Sequence, residues 1–534
     1  MSQPVSPVKP ARRRRSLFWL KAIGVILLII GLIYGYRTWI NYRDEKALYD
    51  YIAKLDASDP SWKMTQLLQG RQPLPPGTDA AAEVVALQKL LNIHEMIPIG
   101  TRNAWWKKLR EIYDKHAFEH WEYFRGMHPN ALVPDATREQ LTALFAMEPA
   151  PGAFQRARLL RHLKQGQYQY PVRPLISMTL LPDVQGSRHL SNLMGFAAQL
   201  HGEAGNIALA LEYIEGCFGI ARSFDADPFF ISHLVRIGVV NSTCKEIERL
   251  LAQSTPLTDT QLQLLQREVV REHRLIQKIL EWMVRGERAA FDHDLATLQE
   301  GRMTWGEISR TLGRNIRWRT NIEPVDDAIL KVFPEMMVGW GNRPETLAKE
   351  RLTLLKFFAA AMEWARLPEE QLQSGLKEFE ERGPYFTNFL REYSMIWASD
   401  GKAANKEFAN LQKMLGTVSL YRARLRTTEA LLASERFRLA TGRMPVSWDD
   451  IVPSYMPAIP LDPYNSKPIY FKVLPDGVVL YVAGLNQVDN QGQIHDQEEQ
   501  TAKDLGVKLW NLSHRGLKME SQWQTYRKSK ATDE

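Results

Sequence analysis

The stretch Leu461–Ala483, "LDPYNSKPIYFKVLPDGVVLYVA", marks the place where a helical sequence gives way to a β-sheet. Apolar and polar residues alternate on both sides of Pro475–Gly477, a pattern typical of two strands joined by a tight turn. We therefore predict a β-hairpin over Ile469–Ala483. A second alternating stretch, Leu505–Trp510, is long enough to add a third strand.

Upstream of the hairpin the sequence has the period of amphipathic helices. Apolar residues recur at three and four spacing as far as about Leu439. A helix that starts near Ala403 is predicted to end at Gly442, because a glycine followed shortly by Pro445 is a common helix C-terminus. We predict a mainly α fold with an N-terminal transmembrane helix, a large body of αα-hairpins and a small C-terminal α+β module.

Two places in the helical body are informative. The turn at Gly205-Asn206, with small residues after it, resembles the centre of one tetratricopeptide repeat, which predicts an αα-hairpin but no tandem array. Thr258, followed by Gln three residues later, predicts a capped helix start. Between about Asp292 and Pro344 the pattern loosens and Gly, Trp and Arg become frequent. This indicates either a partner-facing loop or irregular packing between helices.

The N-terminus combines a basic arm with a long apolar segment. Leu17–Tyr36 holds twenty residues and one charge, Lys21, a length that matches the ~30 Å hydrocarbon core of a bilayer. We predict a cytoplasmic arm over residues 1–16 and a transmembrane anchor over residues 17–40, because the positive flank of such a helix stays in the cytoplasm. A cleaved signal peptide is the alternative, although its apolar core is shorter and precedes a small-residue cleavage site.

Glycines in the apolar segment mark a candidate dimer face. Gly24, Gly31 and Gly35 share one side of the helix, and the last two form a G-x-x-x-G spacing that allows two helices to approach closely. Glycine is frequent in membrane helices in general, so a glycine face without a partner is the alternative.

The net charge of +7 is concentrated at the N-terminus. Six basic residues lie in the first 21 positions, well before the first acidic residue, Asp44, which leaves about +1 for the chain after Lys21. These six are Lys9, Arg12, Arg13, Arg14, Arg15 and Lys21. A nearly neutral body disfavours nucleic acid as a partner.

The two cysteines, Cys217 and Cys244, both fall in helical stretches on the predicted outer side. An exported compartment permits a disulfide between them, whereas two free, buried cysteines are the alternative. Neither cysteine has a Cys-x-x-Cys or histidine partner at metal-binding spacing.

The C-terminal part of the chain resembles a known family. The resemblance is carried by four segments in fixed order: "ERFRLATGRMP" (Glu435–Pro445), "IPLDPYNSKPIY" (Ile459–Tyr470), "LYVAGLNQVDNQG" (Leu480–Gly492) and "DLGVKLW" (Asp504–Trp510). Together they are similar to the C-terminal half of the major pseudopilin of type II secretion systems. The whole chain also resembles single-pass bacterial membrane proteins that carry this tail behind an N-terminal anchor. That resemblance implies the bacterial inner membrane, with the bulk of the chain in the periplasm.

The sequence departs from the pseudopilins in two ways. It lacks their prepilin cleavage signal, so we do not expect it to polymerise into a pseudopilus. Pseudopilins also bind calcium in the loop after the hairpin, where the matching loop here offers the oxygen donors Asn486, Asp489 and Asp504, with Asp496 nearby. Lys503 replaces one of the family's paired aspartates. The resemblance implies a candidate calcium site, and we expect no other cofactor.

One spacing resembles a catalytic motif. "HAFEH" places His116 and His120 one helical turn apart with Glu119 beside them, as in the inverted zinc peptidases. Those enzymes need a third, acidic ligand, which this sequence does not single out. The segment is crowded with Trp, Tyr and Phe, so histidines that pack against an aromatic helix face are the alternative.

These observations divide the chain into five parts: the arm (1–16), the anchor (17–40), a helical extracytoplasmic domain (41–402), a pseudopilin-like module (403–512) and a polar tail (513–534). We expect a non-enzymatic interaction or scaffold protein, held to the bilayer through residues 17–40 and bound to other envelope proteins. The alternatives are an accessory component of a type II secretion or pilus-like system and a membrane-anchored zinc hydrolase.

Overall fold

The computed structural model describes most of the chain. The described residues are 12–94, 97, 99–112, 128–170, 173–176, 179, 181–253, 255–303, 344–372, 374–375, 408–484, 486–494 and 504–518, with the backbone alone described for 12–20, 344–346 and 408–413. Contacts divide the chain into two compact units: unit 1 comprises residues 1–63 and 291–356, and unit 2 comprises residues 64–290 and 357–534.

The protein is mainly helical with one small sheet, as the sequence predicts. The helices are α1 (Arg12–Ser58), α2 (Met64–Gln69), α3 (Ala80–Leu90), α4 (Asp135–Ala146), α5 (Ala150–Leu159), α6 (Pro182–Glu203), α7 (Ile207–Arg222), α8 (Phe230–Leu251), α9 (Asp259–Gln299), α10 (Pro344–Ala365) and α11 (Phe408–Thr441). Residues 104–112 are also helical. The strands are β1 (Tyr470–Leu474), β2 (Gly477–Val482) and β3 (Leu505–Trp510).

Unit 1 contains the apolar N-terminal helix. Among the described helices, α1 is the one long and apolar enough to cross a membrane, a test that a signal sequence would also pass. Its Ile, Val and Leu side chains between Ile23 and Ile33 are 49% to 65% exposed. Farther along α1, Leu48 and Leu55 pack with Trp62 and with Leu355 of α10 in a buried cluster. The helix thus has an uncovered apolar half and a packed half.

Three helices form the centre of unit 2. The helices α6, α7 and α8 pack on one another, and α6 and α7 form the predicted αα-hairpin. Gly205 adopts a φ of +79° in the turn between them, a conformation that L side chains rarely adopt. A Cβ at Gly219 on α7 would lie 2.4 Å from the carbonyl oxygen of Leu160, so only glycine permits this close approach.

The C-terminal module pairs a long helix with the sheet. The strands run β1-β2-β3, with both neighbouring pairs antiparallel, and α11 packs against α8, β2 and β3. The helix ends at the predicted place, because Gly442 follows it with a φ of +74°. Every residue of β2 is buried. The predicted hairpin, third strand and helix end are confirmed.

The helix that follows Thr258 is longer than we predicted. Its cap is confirmed, since the Thr258 N–H donates to Gln261 Oε1 (2.8 Å) and the Gln261 N–H donates to Thr258 Oγ1 (3.3 Å). The pattern change near Asp292 does not end the helix, which continues to Gln299. Asp292 is buried and accepts two hydrogen bonds from Arg351, at 2.6 and 3.0 Å. An arginine that is distant in sequence therefore stabilises Asp292 within the helix, at the position where the sequence pattern suggested a loop or irregular packing.

The cysteines are free and buried. Burial raises the pKa of each thiol, to about 12. The Cys217 thiol donates to the carbonyl oxygen of Ser191 at 3.6 Å. Of the two alternatives that the sequence left open, the structure has the free thiols.

Candidate functional site

The loop after the hairpin holds three of the four predicted calcium donors. Asp489 Oδ1 accepts from the Tyr481 hydroxyl (3.0 Å) and from the Gln491 N–H (2.8 Å). Asp504 is buried, and its two oxygens accept from the backbone N–H groups of Asn490 (3.1 Å) and Gly492 (2.7 Å). These hydrogen bonds close the loop on itself.

The charges in this loop bear on calcium binding. Burial raises the pKa of Asp504, and the negative charge of Asp489 adds to the effect, so the two carboxylates lie within electrostatic reach. The fourth predicted donor, Asp496, lies outside the described residues, and Asn486 Oδ1 accepts from the Val488 N–H at 3.1 Å. Calcium takes six to eight oxygens, so the described donors would have to exchange N–H partners for the ion. The calcium site remains a prediction.

The two other sites predicted from the sequence are the zinc candidates and the glycine face of α1. The zinc candidates His116, Glu119 and His120 lie outside the described residues. Within the described part of the chain, no group of three or more His, Cys, Asp or Glu side chains is placed to hold a metal ion. The glycine face of α1 is described: a Cβ built at Gly24, Gly31 or Gly35 would meet no described atom within 4 Å. The predicted dimer contact stays a prediction.

An open groove in unit 2 was not predicted. It has a volume of about 810 Å³ and runs between α9 and α11. Four arginines and one glutamate supply its charged lining, together with Gln263, Gln266, Val270, Leu275 and Pro457. The charged residues are Arg267, Arg271, Arg274, Glu429 and Arg436. We call this feature the arginine groove.

Arg436, on α11, is held in place at one end of the arginine groove. Its Nε donates to Asp259 Oδ1 at 2.7 Å, and one Nη donates to Gln266 Oε1 at 3.1 Å. The guanidinium also lies over the Tyr455 ring, 5.5 Å from its centre. Because these contacts use several donors, Arg436 forms a fixed wall of the groove.

A row of cations on α9 begins in the groove lining with Arg267, Arg271 and Arg274 and continues one turn beyond it to Lys278. Arg267, Arg271, Arg274 and Lys278 follow one another at spacings of four, three and four residues, so they share one helix face and span about 16 Å. We call these four residues the basic stripe. Arg271 forms ion pairs with Asp225 at 3.6 Å and with Glu268 at 3.8 Å. The other three are exposed, and among the described residues none has a carboxylate within 4 Å.

Among the described residues, Glu429 is the one carboxylate that lines the arginine groove. Burial raises its pKa, and the positive charges of Arg426 and Arg274 oppose that rise. Asp259 neutralises Arg436, and Asp225 and Glu268 lie near Arg271. The excess positive charge of the lining therefore comes from Arg267 and Arg274, against one negative charge when Glu429 is ionised. Such an imbalance draws anionic groups toward the groove.

A second, smaller cavity lies among α6, α7 and α8, with a volume of about 200 Å³. It is lined by the polar side chains of Asn241 and Glu246 and by Cys217. Glu246 Oε2 and Asn241 Oδ1 are buried and accept no hydrogen bond from the described residues. Burial also raises the pKa of Glu246. Its size and its unpaired acceptors suit small polar molecules, including water.

Arginines in the interior of unit 2 differ from those of the basic stripe. Arg236 donates to both oxygens of the fully buried Glu272, at 3.1 and 2.9 Å, and Tyr421 donates to the same carboxylate at 3.0 Å. Glu435 accepts paired hydrogen bonds from Arg438 and Arg515, at 2.8 to 2.9 Å. These arginines connect helices to one another and to the sheet.

The sequence carried a partial signal for the groove. The letters "REVVREHRLIQK" show the basic spacing directly, but charges on a helix usually form a solvated face. Two features of the groove depend on tertiary structure and are not visible in the sequence. Arg436 comes from a helix more than 150 positions later, and the stripe has few carboxylate neighbours among the described residues. No match to this chain was found among protein-family models, curated proteins or solved structures.

Proposed function

We propose that this chain is a single-pass membrane-anchored protein whose extracytoplasmic part binds other envelope proteins, a non-enzymatic interaction or scaffold role. The observation that carries the proposal is the arginine groove. It is open and about 810 Å³ in volume, large enough to receive a segment of another chain. Its lining is dominated by arginine, which is suited to planar recognition of anionic groups.

The N-terminal helix supports the anchoring part of the proposal. Its side chains between Ile23 and Ile33 are apolar and exposed, which in water would be unfavourable over so large an area. A bilayer would cover this surface. With the basic arm in the cytoplasm, the groove would lie on the outer side of a bacterial inner membrane.

Site-specific photo-crosslinking in cells tests the proposal. A photoreactive residue at Gln263, which is exposed and lines the groove, is compared with one at Gln155, which is exposed on α5. We expect discrete crosslinked products from position 263 alone, and their loss when Arg267→Glu and Arg274→Glu are added. The same products from both positions, or none from 263, would contradict a docking role for the groove.

The two alternatives from the sequence remain predictions. An accessory role in a type II secretion or pilus-like system rests on the resemblance of residues 403–512. It predicts that secretion ATPase or platform proteins co-purify with this chain in mild detergent. The zinc hydrolase hypothesis predicts stoichiometric zinc that is lost in His116→Ala.

A further inference from the structure

The arginine groove has features that narrow the chemistry of its partner. Three members of the basic stripe, Arg267, Arg274 and Lys278, are exposed and have no described carboxylate within 4 Å. Many arginines elsewhere in unit 2 are closely paired, as with Arg426 and Glu369 at 2.6 Å, whereas Arg188 is a single exposed arginine that also has no described carboxylate within 4 Å. Within the described part of the chain, therefore, the stripe places three exposed cations on one helix face with no carboxylate within 4 Å of any of them.

The spacing of the stripe favours a partner with several separated charges. Steps of four, three and four residues along α9 correspond to about 6, 4.5 and 6 Å. A single phosphate or headgroup can engage one or two of these cations, since the stripe spans about 16 Å. Acidic side chains on a second helix, at the same three and four spacing, would repeat these distances along the whole stripe.

The walls of the groove also favour separated carboxylates over a dense polyanion. Glu429 and Arg274 both line the groove, and the positive charge of Arg274 opposes the rise that burial causes in the pKa of Glu429. A carboxylate in the lining repels an uninterrupted row of anionic groups but leaves room for a partner whose charges are spaced. Each guanidinium group can bind one carboxylate through two parallel hydrogen bonds, so a partner whose carboxylates match the spacing of the arginines is favoured.

We propose that the arginine groove receives an acidic helical segment of a partner protein, with carboxylates at three and four spacing that pair with the basic stripe. The proposal rests on the interaction role proposed above and specifies the partner's chemistry. Exposed charges at an interface mainly govern specificity and association rate. Because salt screens them, we expect binding to weaken as ionic strength rises.

Binding of designed peptides to the full-length protein in detergent micelles tests the inference. The probe is a fluorescent, alanine-rich helical peptide of about 20 residues, long enough to form helix in water, with glutamates at four-three-four spacing. Its controls are a peptide of identical composition with the glutamates moved around the helix, and the glutamine version. Inorganic phosphate and glycerol phosphate, the headgroup of an anionic phospholipid, are tested as competitors.

Variants locate the binding. We expect Arg267→Glu with Arg274→Glu to weaken binding of the spaced peptide by about tenfold or more. Lys107→Glu with Lys164→Glu changes the net charge equally at exposed positions outside the groove, and it should leave the affinity within about twofold. Arg267→Gln with Arg274→Gln should give an intermediate loss.

Several results would overturn the inference. Equal affinity for the spaced and rearranged peptides would contradict the match in spacing. Displacement by phosphate or glycerol phosphate at low concentration would assign the groove to small anions or to lipid instead. Absence of peptide binding, while crosslinks still form from position 263, would reject the acidic helix and leave the interaction role standing. Peptide binding without crosslinks in cells would reject the interaction role alone.

Discussion

Arginines in this protein occupy two kinds of surroundings, and the difference lies in their partners. Glu435, which is fully buried, pairs with Arg438 and with Arg515, whose side chain is 1% exposed. In the basic stripe, Arg267 and Arg274 are exposed and have no carboxylate within 4 Å among the described residues. A buried, paired arginine costs stability when its partner is removed, whereas an exposed one is available to a ligand. The comparison predicts that stability and binding depend on separate sets of arginines.

The largest expected effect comes from breaking the pairing in the interior. Glu435→Gln removes the charge that Arg438 and Arg515 share and leaves two buried guanidinium groups uncompensated. We expect a loss of about 3 to 5 kcal/mol in the free energy of unfolding, measured by denaturant titration of the full-length protein in micelles. Glu83→Gln is the control, because its partner Arg156 is 46% exposed, and it should cost less than about 1 kcal/mol. Equal losses would contradict the distinction.

The interior should also respond to pH through His233. Burial, reinforced by the positive charge of Arg236, lowers the pKa of this histidine to about 4 in the folded state, against about 6.5 when unfolded. The unfolded chain therefore binds the proton more readily, and the stability present above pH 6.5 is lost as the pH falls toward 4.

Between pH 7 and pH 5 this histidine should cost the protein about 2 kcal/mol. His233→Gln removes the titrating group, so its unfolding free energy should fall by that much less over the same interval. Parallel pH profiles for the two proteins would show that His233 is not held neutral by its surroundings.

A smaller effect is expected from the hydroxyl of Tyr421. It donates to Glu272 at 3.0 Å, and both residues are buried. Tyr421→Phe should lower the unfolding free energy by about 1.5 kcal/mol, because a buried carboxylate loses a donor. Tyr455→Phe is a matched control whose ring stays beneath Arg436, and it should change stability by less than about 0.5 kcal/mol. A larger loss in the control would mean that ring packing dominates at both sites.

The smallest effect on stability is expected from the stripe itself. Arg267→Gln with Arg274→Gln removes two exposed charges with no described carboxylate within 4 Å, so the unfolding free energy should change by no more than about 0.5 kcal/mol. Thermal unfolding beside the parent protein measures this. A loss above about 1 kcal/mol would show that these arginines stabilise the fold, and it would contradict the claim that stability and binding depend on separate sets of arginines.

Local patterns were enough to predict the hairpin and several helix ends of this chain. Alternation around Pro475–Gly477 predicted the hairpin, and Thr258 with Gln261 predicted the start of α9, because turns and caps depend on neighbouring residues. The continuation of α9 past Asp292 was not predictable, since its stabilising partner, Arg351, is distant in sequence. The groove escaped prediction for the same reason: Arg436 and the stripe meet only in the folded unit.

Two measurements on the same protein test whether the basic stripe binds acidic helices without holding the fold together. Fluorescence anisotropy gives the affinity for the spaced acidic peptide, and thermal unfolding gives the melting temperature. The parent protein and the Arg267→Glu, Arg274→Glu variant are compared under identical ionic conditions. We predict that the variant binds about tenfold more weakly or worse while its melting temperature stays within about 2 °C of the parent. Unchanged affinity, or a loss of binding that accompanies a large fall in melting temperature, would contradict the account.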